Sequence, residues 1–399
     1  MKLKKLFFPF AVLFMGLLLI AATSHQDWLE SHWHKPAATT TTSPHGWPDL
    51  EKNLAPEACA QCHAAQFSAW KESFHAHAYS PGLIGQFPHM GISDSNDCLK
   101  CHAPLAEQKL TSITELSASL KSKLIQPEGF DRDGKLDGVQ LPLRHAGVTC
   151  AACHVRGWQR FGPPQRSTGA VGHIEGGAHG GFNAVKKFES SQFCASCHQF
   201  PQAYAINGKP MENTVAEWQQ SRFPREGVQC QTCHMPDRKH EFKGIHDIQM
   251  VRKGLVFESS LNANIATFKI TSKWIGHAFP TYVTPKVLVH IQALDQSGLV
   301  LKQKEWVIER KVEYRDGWQE ISDTRLLPGE SRMYVLATVP ASATVVRFSV
   351  EVIPDNFYKG VYESLLSDAL DADATQLINQ ALKQANLNDY QLYQHEEVR

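Results

Sequence analysis

The stretch GVQCQTCHMP, residues 227–236, places Cys230 and Cys233 three positions apart, with His234 directly after the second cysteine. Two cysteines at this spacing alone are compatible with a zinc half-site, a redox dithiol or a small disulfide loop. The adjacent histidine favours a different interpretation, because C-x-x-C-H is the spacing at which c-type haem is attached. The two thiols add to the haem vinyl groups as thioethers, and the histidine becomes the proximal ligand of the iron.

The same pattern occurs five times along the chain and uses all ten cysteines. Structural zinc would combine C-x-x-C units into even sets, without a histidine beside each one. A thioredoxin-like site needs a single motif, and a disulfide framework rarely produces five identical spacings. The sequence therefore predicts five covalently bound haem c groups. The attachment cysteines and proximal histidines are Cys59, Cys62 and His63; Cys98, Cys101 and His102; Cys150, Cys153 and His154; Cys194, Cys197 and His198; and Cys230, Cys233 and His234.

Composition places the chain among ordinary globular proteins of two or three domains. It has 399 residues, of which 42% are hydrophobic, enough for a buried core. Lys plus Arg equals Asp plus Glu at 40 each, so the sequence has no basic excess. A nucleic acid is therefore excluded as the expected partner.

The N-terminus is typical of an exported protein. Met1-Lys2-Leu3-Lys4-Lys5 is followed by the apolar run LFFPFAVLFMGLLLIAA, which predicts a signal peptide or a membrane anchor over residues 1–24. The run is long for a signal peptide and short for a spanning helix, so both alternatives stay open. Export agrees with the haem motifs, because c-type attachment is completed outside the bacterial cytoplasm. The expected location is the periplasmic side of the inner membrane, anchored or soluble after cleavage, in preference to an extracellular one.

The chain divides into segments of different character, and the predicted fold class is α+β. Residues 25–50 are rich in Thr and Pro and predict a linker. Residues 51–250 carry all five motifs at irregular intervals and predict short helices and loops packed around haems. Residues 251–357 alternate apolar and polar positions between turns, which predicts an antiparallel β-sandwich, and residues 358–399 predict a C-terminal helix and tail.

The haem region resembles the multihaem cytochrome c family related to cytochrome c-554, in particular its members with a C-terminal β domain. The resemblance covers about residues 55–300 and implies electron transfer through closely packed haems, some of them stacked in pairs. It rests on the stretches CAQCHAAQFSAWKESFHAHA, GVTCAACHVRG, SSQFCASCHQF, EWQQSRFPREGVQCQTCHMPDRKHEFKGIHD and GHAFPT.

The resemblance also implies which histidines occupy the sixth coordination positions, although it does not pair them with particular irons. These predicted distal ligands are His75, His179, His240, His246 and His277. His145 and His173 are reserves, whereas His89, His290 and His395 are interpreted as structural or surface histidines. Methionine ligands would raise the reduction potential, and Met90, Met211 and Met235 are the candidates.

The number of filled sixth positions separates three candidate functions. Iron with two histidine ligands leaves no place for a substrate, which favours an electron carrier between a donor and an acceptor protein. One five-coordinate iron would instead allow a reductase or oxidase of a small nitrogen or sulfur compound. Pentahaem nitrite reductases commonly bear a C-x-x-C-K motif, whereas every motif here ends in histidine, so the carrier is favoured and no catalytic residue is assigned. Association with the inner membrane and self-assembly through the histidine-bearing N-terminal arm are further alternatives, and the β domain is expected to serve packing and docking.

Overall fold

The computed structural model describes residues 28–38, 47–125, 135–136, 139–140, 142–177 and 179–399. The predicted signal peptide or anchor, residues 1–24, lies outside them. Within the described residues, no helix is both long and apolar enough to cross a membrane.

The haem-motif region consists of short helices and small hairpins. Its helices are α1 (residues 28–34), α2 (Asp49–Lys52), α3 (Pro56–Ala60), α4 (Ala64–Lys71), α5 (Pro81–Ile84), α6 (Phe87–His102), α7 (Ile113–Ile125), α8 (Cys150–His154), α9 (Ser191–His198), α10 (Thr214–Gln220), α11 (Cys230–His234) and α12 (Ile248–Gly254). Its strands are β1 (Lys135–Leu136), β2 (Val139–Gln140), β3 (Val155–Arg156), β4 (Gln159–Gly162), β5 (Gly172–Glu175), β6 (Gly181–Ala184), β7 (Ala205–Ile206) and β8 (Lys209–Pro210). Single turns of 3₁₀ helix join them at Ala106–Gln108, Leu143–Ala146, Lys186–Glu189, Gln202–Tyr204, Phe223–Glu226 and Pro236–Arg238.

Four of the five motifs end a helix, namely α6, α8, α9 and α11. Helical geometry places the first cysteine, the second cysteine three residues later and the histidine four residues later on one face. Local caps start two of these helices, because the Thr149 hydroxyl accepts from the Ala152 amide and the Ser190 hydroxyl accepts from the Gln192 amide. Each of these motifs therefore presents its three functional side chains to the same side.

The β domain has two antiparallel sheets that share one hydrophobic core. Its strands are β9 (Leu255–Asn262), β10 (Ile265–Ser272), β11 (Lys286–Leu294), β12 (Val300–Ile308), the hairpin β13 (Arg310–Tyr314) and β14 (Trp318–Asp323), β15 (Ser331–Leu336), β16 (Val345–Ile353) and β17 (Tyr390–Val398). One sheet has the order β15-β10-β9 and the other has the order β12-β11-β16-β17. Phe268, Val289 and Phe348 are fully buried between the two sheets, as the alternating burial along the strands requires. The predicted α+β class with a C-terminal antiparallel β domain is confirmed.

The C-terminal segment differs from the predicted single helix and tail. It contains two helices, α13 (Asn356–Ser367) and α14 (Ala372–Leu387), followed by β17, which pairs with β16. Leu377 of α14 is fully buried against Tyr79 and Phe87 of the haem-motif region. The amphipathic helix thus packs on the first domain, and the chain then returns to complete a sheet of the second.

Residues 28–38 also differ from the predicted linker, because they are folded against the haem-motif region. His32 is 4% exposed, and its backbone carbonyl accepts a hydrogen bond from the Arg156 guanidinium. The amide of Gly157 donates to the carbonyl of Pro36 at 2.7 Å. This part of the Thr/Pro-rich segment therefore packs, through α1, against β3 and the turn that follows it.

Candidate haem-binding site

A large cavity of about 3130 Å³ lies among the motif helices, the β domain and the C-terminal helices. Pockets for drug-sized ligands usually measure about 300–1000 Å³, so this cavity has room for several such groups. All ten cysteines and all five motif histidines line it, and so do all five predicted distal histidines. The cavity wall therefore carries the whole predicted set of attachment and ligand residues.

None of the ten cysteines forms a disulfide in the structure, and some of them bring different motifs into contact. The thiol of Cys59 hydrogen-bonds that of Cys150, which lowers the pKa of Cys59 and raises the pKa of Cys150. The equivalent contacts of Cys101 with Cys197 and of Cys194 with Cys230 join the fourth motif to the second and the fifth. Because a thioether would join each of these sulfurs to the edge of a porphyrin, haems attached there would lie edge to edge.

Three motif histidines are oriented by backbone carbonyls that contact their Nδ1 atoms. The Nδ1 atoms lie 3.0 Å from the Ala78 carbonyl for His102, 2.8 Å from the Phe161 carbonyl for His154 and 2.6 Å from the Lys243 carbonyl for His234. A carbonyl only accepts, so the ring proton is on Nδ1 and the lone pair is on Nε2. This outer contact is the one that usually fixes a metal-bound histidine.

Two predicted distal histidines have the same orientation. Nδ1 lies 3.1 Å from the Arg238 carbonyl for His240 and 2.9 Å from the Ala278 carbonyl for His277. Nδ1 of His179 lies 3.3 Å from a carboxylate oxygen of Glu51 but makes no hydrogen bond. Nε2 is thus left as the ligating nitrogen of His240 and His277, as it is for the three motif histidines.

Four motif histidines face a predicted distal histidine across a gap of one iron. A metal–histidine nitrogen bond is about 2.0–2.1 Å, and the ring centre lies about 1.1 Å behind the nitrogen, so two imidazoles on one metal have centres about 6.3 Å apart. The ring centres are 5.8 Å apart for His63 and His179, 6.3 Å for His75 and His198, 6.0 Å for His154 and His240, and 6.4 Å for His234 and His277. The residues present therefore fit haem iron with two histidine ligands.

Comparison with known proteins agrees with this geometry. Residues 86–247 match the family described as outer membrane cytochrome MtrC/MtrF-like, domains II/IV. The crystal structure of a penta-heme cytochrome c552 from Thermochromatium tepidum aligns with a TM-score of 0.55 at 18% sequence identity, covering 87% of this chain and 99% of that chain. The chain has the fold of a multihaem cytochrome c. No curated protein matches its sequence.

The family match over residues 86–247 and the shared fold support the predicted multihaem cytochrome c family, whose members carry covalently bound haem c. Burial keeps four of the predicted ligand histidines in the form that binds metal. It lowers the pKa of His75 to about 3 and that of His154, His198 and His277 to about 4. A neutral imidazole is the ligating species, so these side chains need no deprotonation at neutral pH.

A buried acidic group that sequence reasoning missed lies near the fourth motif. Burial raises the pKa of Glu212 to about 7, and its carboxyl oxygen lies 4.0 Å from Nδ1 of His198. Glu212 follows the fourth motif by fourteen residues, but no local pattern in the sequence indicates that its side chain returns to that histidine.

His246 is the exception among the predicted distal ligands. Its Nε2 lies 3.0 and 3.1 Å from the two carboxylate oxygens of Asp355, and its ring centre lies 4.3 Å from that of Phe74. In the part of the chain that the structure describes, the ring of His102 has no histidine partner at a separation comparable to the other four pairs. The structure therefore does not bring His246 and His102 together as it does the other predicted ligands.

The remaining histidines and methionines considered as ligands differ in whether they face the cavity. Nε2 of buried His145 lies 2.9 Å from the Ser122 hydroxyl, and His145 does not line the cavity. His173 is exposed on β5, with Nδ1 3.4 Å from the amide oxygen of Asn183. His290 pairs with Glu305 on the outer face of its sheet. The three candidate methionines Met90, Met211 and Met235 line the cavity.

Proposed function

We propose that this chain is an exported c-type cytochrome with five haems that passes electrons from one redox protein to another. The observation that supports it is the set of four histidine pairs, each containing a motif histidine, at the separation that one iron requires. An iron held between two histidines has no free position for a substrate, which favours electron transfer over catalysis at these four sites.

The thiol contacts support a continuous path. Cys59 with Cys150, Cys101 with Cys197 and Cys194 with Cys230 link the first motif to the third and the fourth to the second and fifth. Cys153 of the third motif also interacts electrostatically with Cys194 and Cys197 of the fourth. The fourth haem would then lie at a branch point, next to the third, the second and the fifth.

The bound haem would supply one-electron redox chemistry, and the residues of the chain determine the orientation of its ligands and the polarity of its surroundings. Backbone carbonyls hold the Nδ1 protons of the ligand histidines and so direct Nε2 into the cavity. Trp70 and Phe223 contribute buried apolar surface to the cavity wall, which keeps water away and favours a well-defined potential.

The proposed partners are a donor and an acceptor that are themselves redox proteins. Residues 1–24 support export, and the description of the matched family favours the outer membrane over the inner membrane as the place of action. Attachment to a membrane and self-assembly rest on the N-terminal sequence only.

Haem content and axial ligation test the proposal. The pyridine haemochrome assay on the purified holoprotein is expected to give five haems per chain, and dithionite is expected to reduce all of them. The variants His179→Ala, His75→Ala, His240→Ala and His277→Ala should each create one high-spin ferric signal in electron paramagnetic resonance. His290→Ala, a histidine held by Glu305 on the β domain, should create none. Fewer than five haems, or distal variants that leave the spectra unchanged, would contradict the proposal.

A further inference from the structure

The loop that carries His179, the histidine paired with His63 of the first motif, is rich in glycine. Four of its glycines have a positive φ, namely Gly176, Gly177, Gly180 and Gly181. Such a backbone is conformationally permissive, so it does not fix the direction of a side chain by itself. The support comes from another strand, because Nη1 of Arg160 on β4 donates a hydrogen bond to the His179 carbonyl.

The same guanidinium connects this loop to a carboxylate. Nη2 of Arg160 donates to Oε2 of Glu51 on α2, while Nη1 holds the His179 carbonyl. The ring of Trp47 lies against the guanidinium, with its centre 3.6 Å from the guanidinium carbon. The side chains of Arg160 and Glu51 are 14% and 17% exposed, so solvent screens their charges only weakly. Arg160 therefore fixes a carboxylate beside the ligand loop.

This carboxylate lies at the nitrogen of His179 that iron would not use. Oε2 of Glu51 is 3.3 Å from Nδ1, slightly beyond the usual hydrogen-bond range of about 2.7–3.2 Å. Nδ1 is buried and has no hydrogen-bond partner among the described residues. When Nε2 binds iron, the proton of the neutral imidazole is on Nδ1 and requires an acceptor. A slight turn of the ring toward Glu51 would provide one.

The Nδ1 contacts described for the other ligand histidines are of a different kind. Neutral backbone carbonyls accept the Nδ1 proton of five of them, namely His102, His154, His234, His240 and His277. The carboxyl of Glu212 lies farther from Nδ1 of His198, at 4.0 Å, and burial raises the pKa of Glu212 to about 7. Among the four described histidine pairs, the one of the first motif therefore has the closest carboxylate.

We propose that Glu51 is a positioning residue for the first haem, which accepts the Nδ1 proton of His179 and gives this haem the lowest reduction potential of the four haems with a histidine pair. A negative charge beside an iron ligand stabilises ferric iron, which has one more positive charge than ferrous iron. Arg160 offsets part of this charge and orients the carboxylate that carries it.

A low potential at this position gives the row of haems a direction. Among the thiol contacts of the described residues, the first motif meets only the third, through Cys59 and Cys150, so the first haem lies at one end. Electrons move toward higher potential, and therefore from this end toward the third and fourth haems. One electron passes from the donor protein to the ferric first haem, and no proton moves, because Nδ1 keeps its proton in both states. The inference rests on the proposed function, since it requires His179 on the first iron.

An equilibrium redox titration of the holoprotein, followed by electron paramagnetic resonance, tests the proposal. The ferric low-spin signal that is missing in His179→Ala identifies the first haem, and His240→Ala, His75→Ala and His277→Ala identify the third, fourth and fifth in the same way. In the unaltered protein, the first haem should be the last of these four to be reduced. Glu51→Gln keeps an oxygen acceptor but removes the charge, and a charged acceptor makes a hydrogen bond roughly twice as strong as a neutral one. The ferric-to-ferrous ratio of the first haem at a fixed potential should therefore fall about tenfold, a rise in its midpoint of about 59 mV.

Glu189→Gln is the matched control. Glu189 also lines the cavity and pairs with an arginine, Arg238, at 2.5 Å, but it has no described contact with a histidine ring. Its replacement should leave the midpoint of the first haem unchanged.

A first-haem midpoint in Glu51→Gln equal to that in Glu189→Gln would overturn the proposal, and so would a first haem that is reduced before the other three. Five haems per chain and one high-spin haem in His179→Ala would leave the proposed function intact in that case. Absence of the high-spin haem in His179→Ala would instead contradict the ligand assignment of the proposed function and this inference with it. Should Glu51→Gln fail to fold, the order of reduction in the unaltered protein still decides.

Discussion

Replacement of Glu217 should loosen the loop that carries His277. Glu217 lies on α10, is 9% exposed and forms a 2.9 Å ion pair with Arg325, which is 4% exposed. The same carboxylate accepts hydrogen bonds from the Ala278 amide at 3.0 Å and from the Thr281 hydroxyl at 3.3 Å. A residue of the haem-motif region thus holds the β-domain loop next to a predicted iron ligand.

The magnitude follows from burial and from what remains after the change. Removing one partner of a buried ion pair costs about 3–5 kcal/mol. Asp323 still pairs with Arg325 at 2.9 Å in Glu217→Ala, so the lower end, about 3 kcal/mol, is expected for local opening of the loop. Since 1.36 kcal/mol corresponds to a factor of ten, the Ala278 amide should exchange with solvent about 10²-fold faster. Glu217→Gln keeps one oxygen that can accept from both Ala278 and Thr281, so it should have a smaller effect.

Hydrogen exchange of the holoprotein, resolved for residues 276–282, measures this change without requiring two-state unfolding of the whole protein. Glu226→Ala is the control, because its 2.6 Å pair with Arg222 joins side chains that are 43% and 42% exposed. That pair should contribute about 0.3–0.5 kcal/mol, which corresponds to about a twofold change. Carbon monoxide binding to the reduced fifth haem should accelerate in parallel, because it requires His277 to leave the iron. An Ala278 exchange rate in Glu217→Ala within threefold of the rate in the control variant would refute the reasoning.

Three further variants probe other parts of the structure. The fully buried guanidinium of Arg310 forms a 2.7 Å ion pair with Glu320 and donates hydrogen bonds to backbone carbonyls of β7 and β8. Arg310→Ala should therefore lower the free energy that protects the β13–β14 hairpin amides from hydrogen exchange by about 3 kcal/mol or more. Gly147 has a φ of +59°, and in Gly147→Ala the new Cβ would lie 2.5 Å from the carbonyl oxygen of His75, a predicted iron ligand. Displacement of His75 should make one haem high-spin. Gly208→Ala is the control, because Gly208 has a φ of +75° but no atom within 4 Å of the new Cβ, so the spin states should stay unchanged. Burial lowers the pKa of Lys123 from 10.5 to about 8. Between these two pH values the unfolded chain binds a proton at Lys123 that the folded chain does not, so the folded state loses stability as the pH falls from 10.5 to 8. Lys123→Met should therefore raise the thermal midpoint at pH 7 and have little effect above pH 10.5, and an equal gain at both pH values would contradict this linkage.

The attachment residues could be predicted from the sequence because C-x-x-C-H is local. Five contiguous residues determine the chemistry, and one helical turn brings their side chains to one face. The strands of the β domain were also predictable, since Val287, Val289 and Ile291 alternate with less buried positions along β11.

The features that sequence reasoning missed depend on contacts between distant residues or on weak patterns. Strand β17 buries only Leu392 fully and is otherwise rich in Gln, Glu and His, so its alternation is faint. The partner of His246 lies 109 residues away, a distance at which spacing carries no information. For α1 a signal was present, because Trp28 and His32 lie four residues apart and stack at 4.7 Å. The abundance of Thr and Pro in the neighbouring residues obscured it.

The wall that α13 and α14 contribute to the cavity is encoded after all five motifs. Roughly 120 residues separate His234 from Asp355, so a chain exported from its N-terminus presents all five motifs before this segment. Attachment of a haem requires access to both thiols of a motif, and the segment from Asp355 to Asn388 covers the cavity once it has docked. The order in which an exported chain emerges therefore leaves all five motifs accessible to the cofactor-loading machinery before the last wall of the cavity can form.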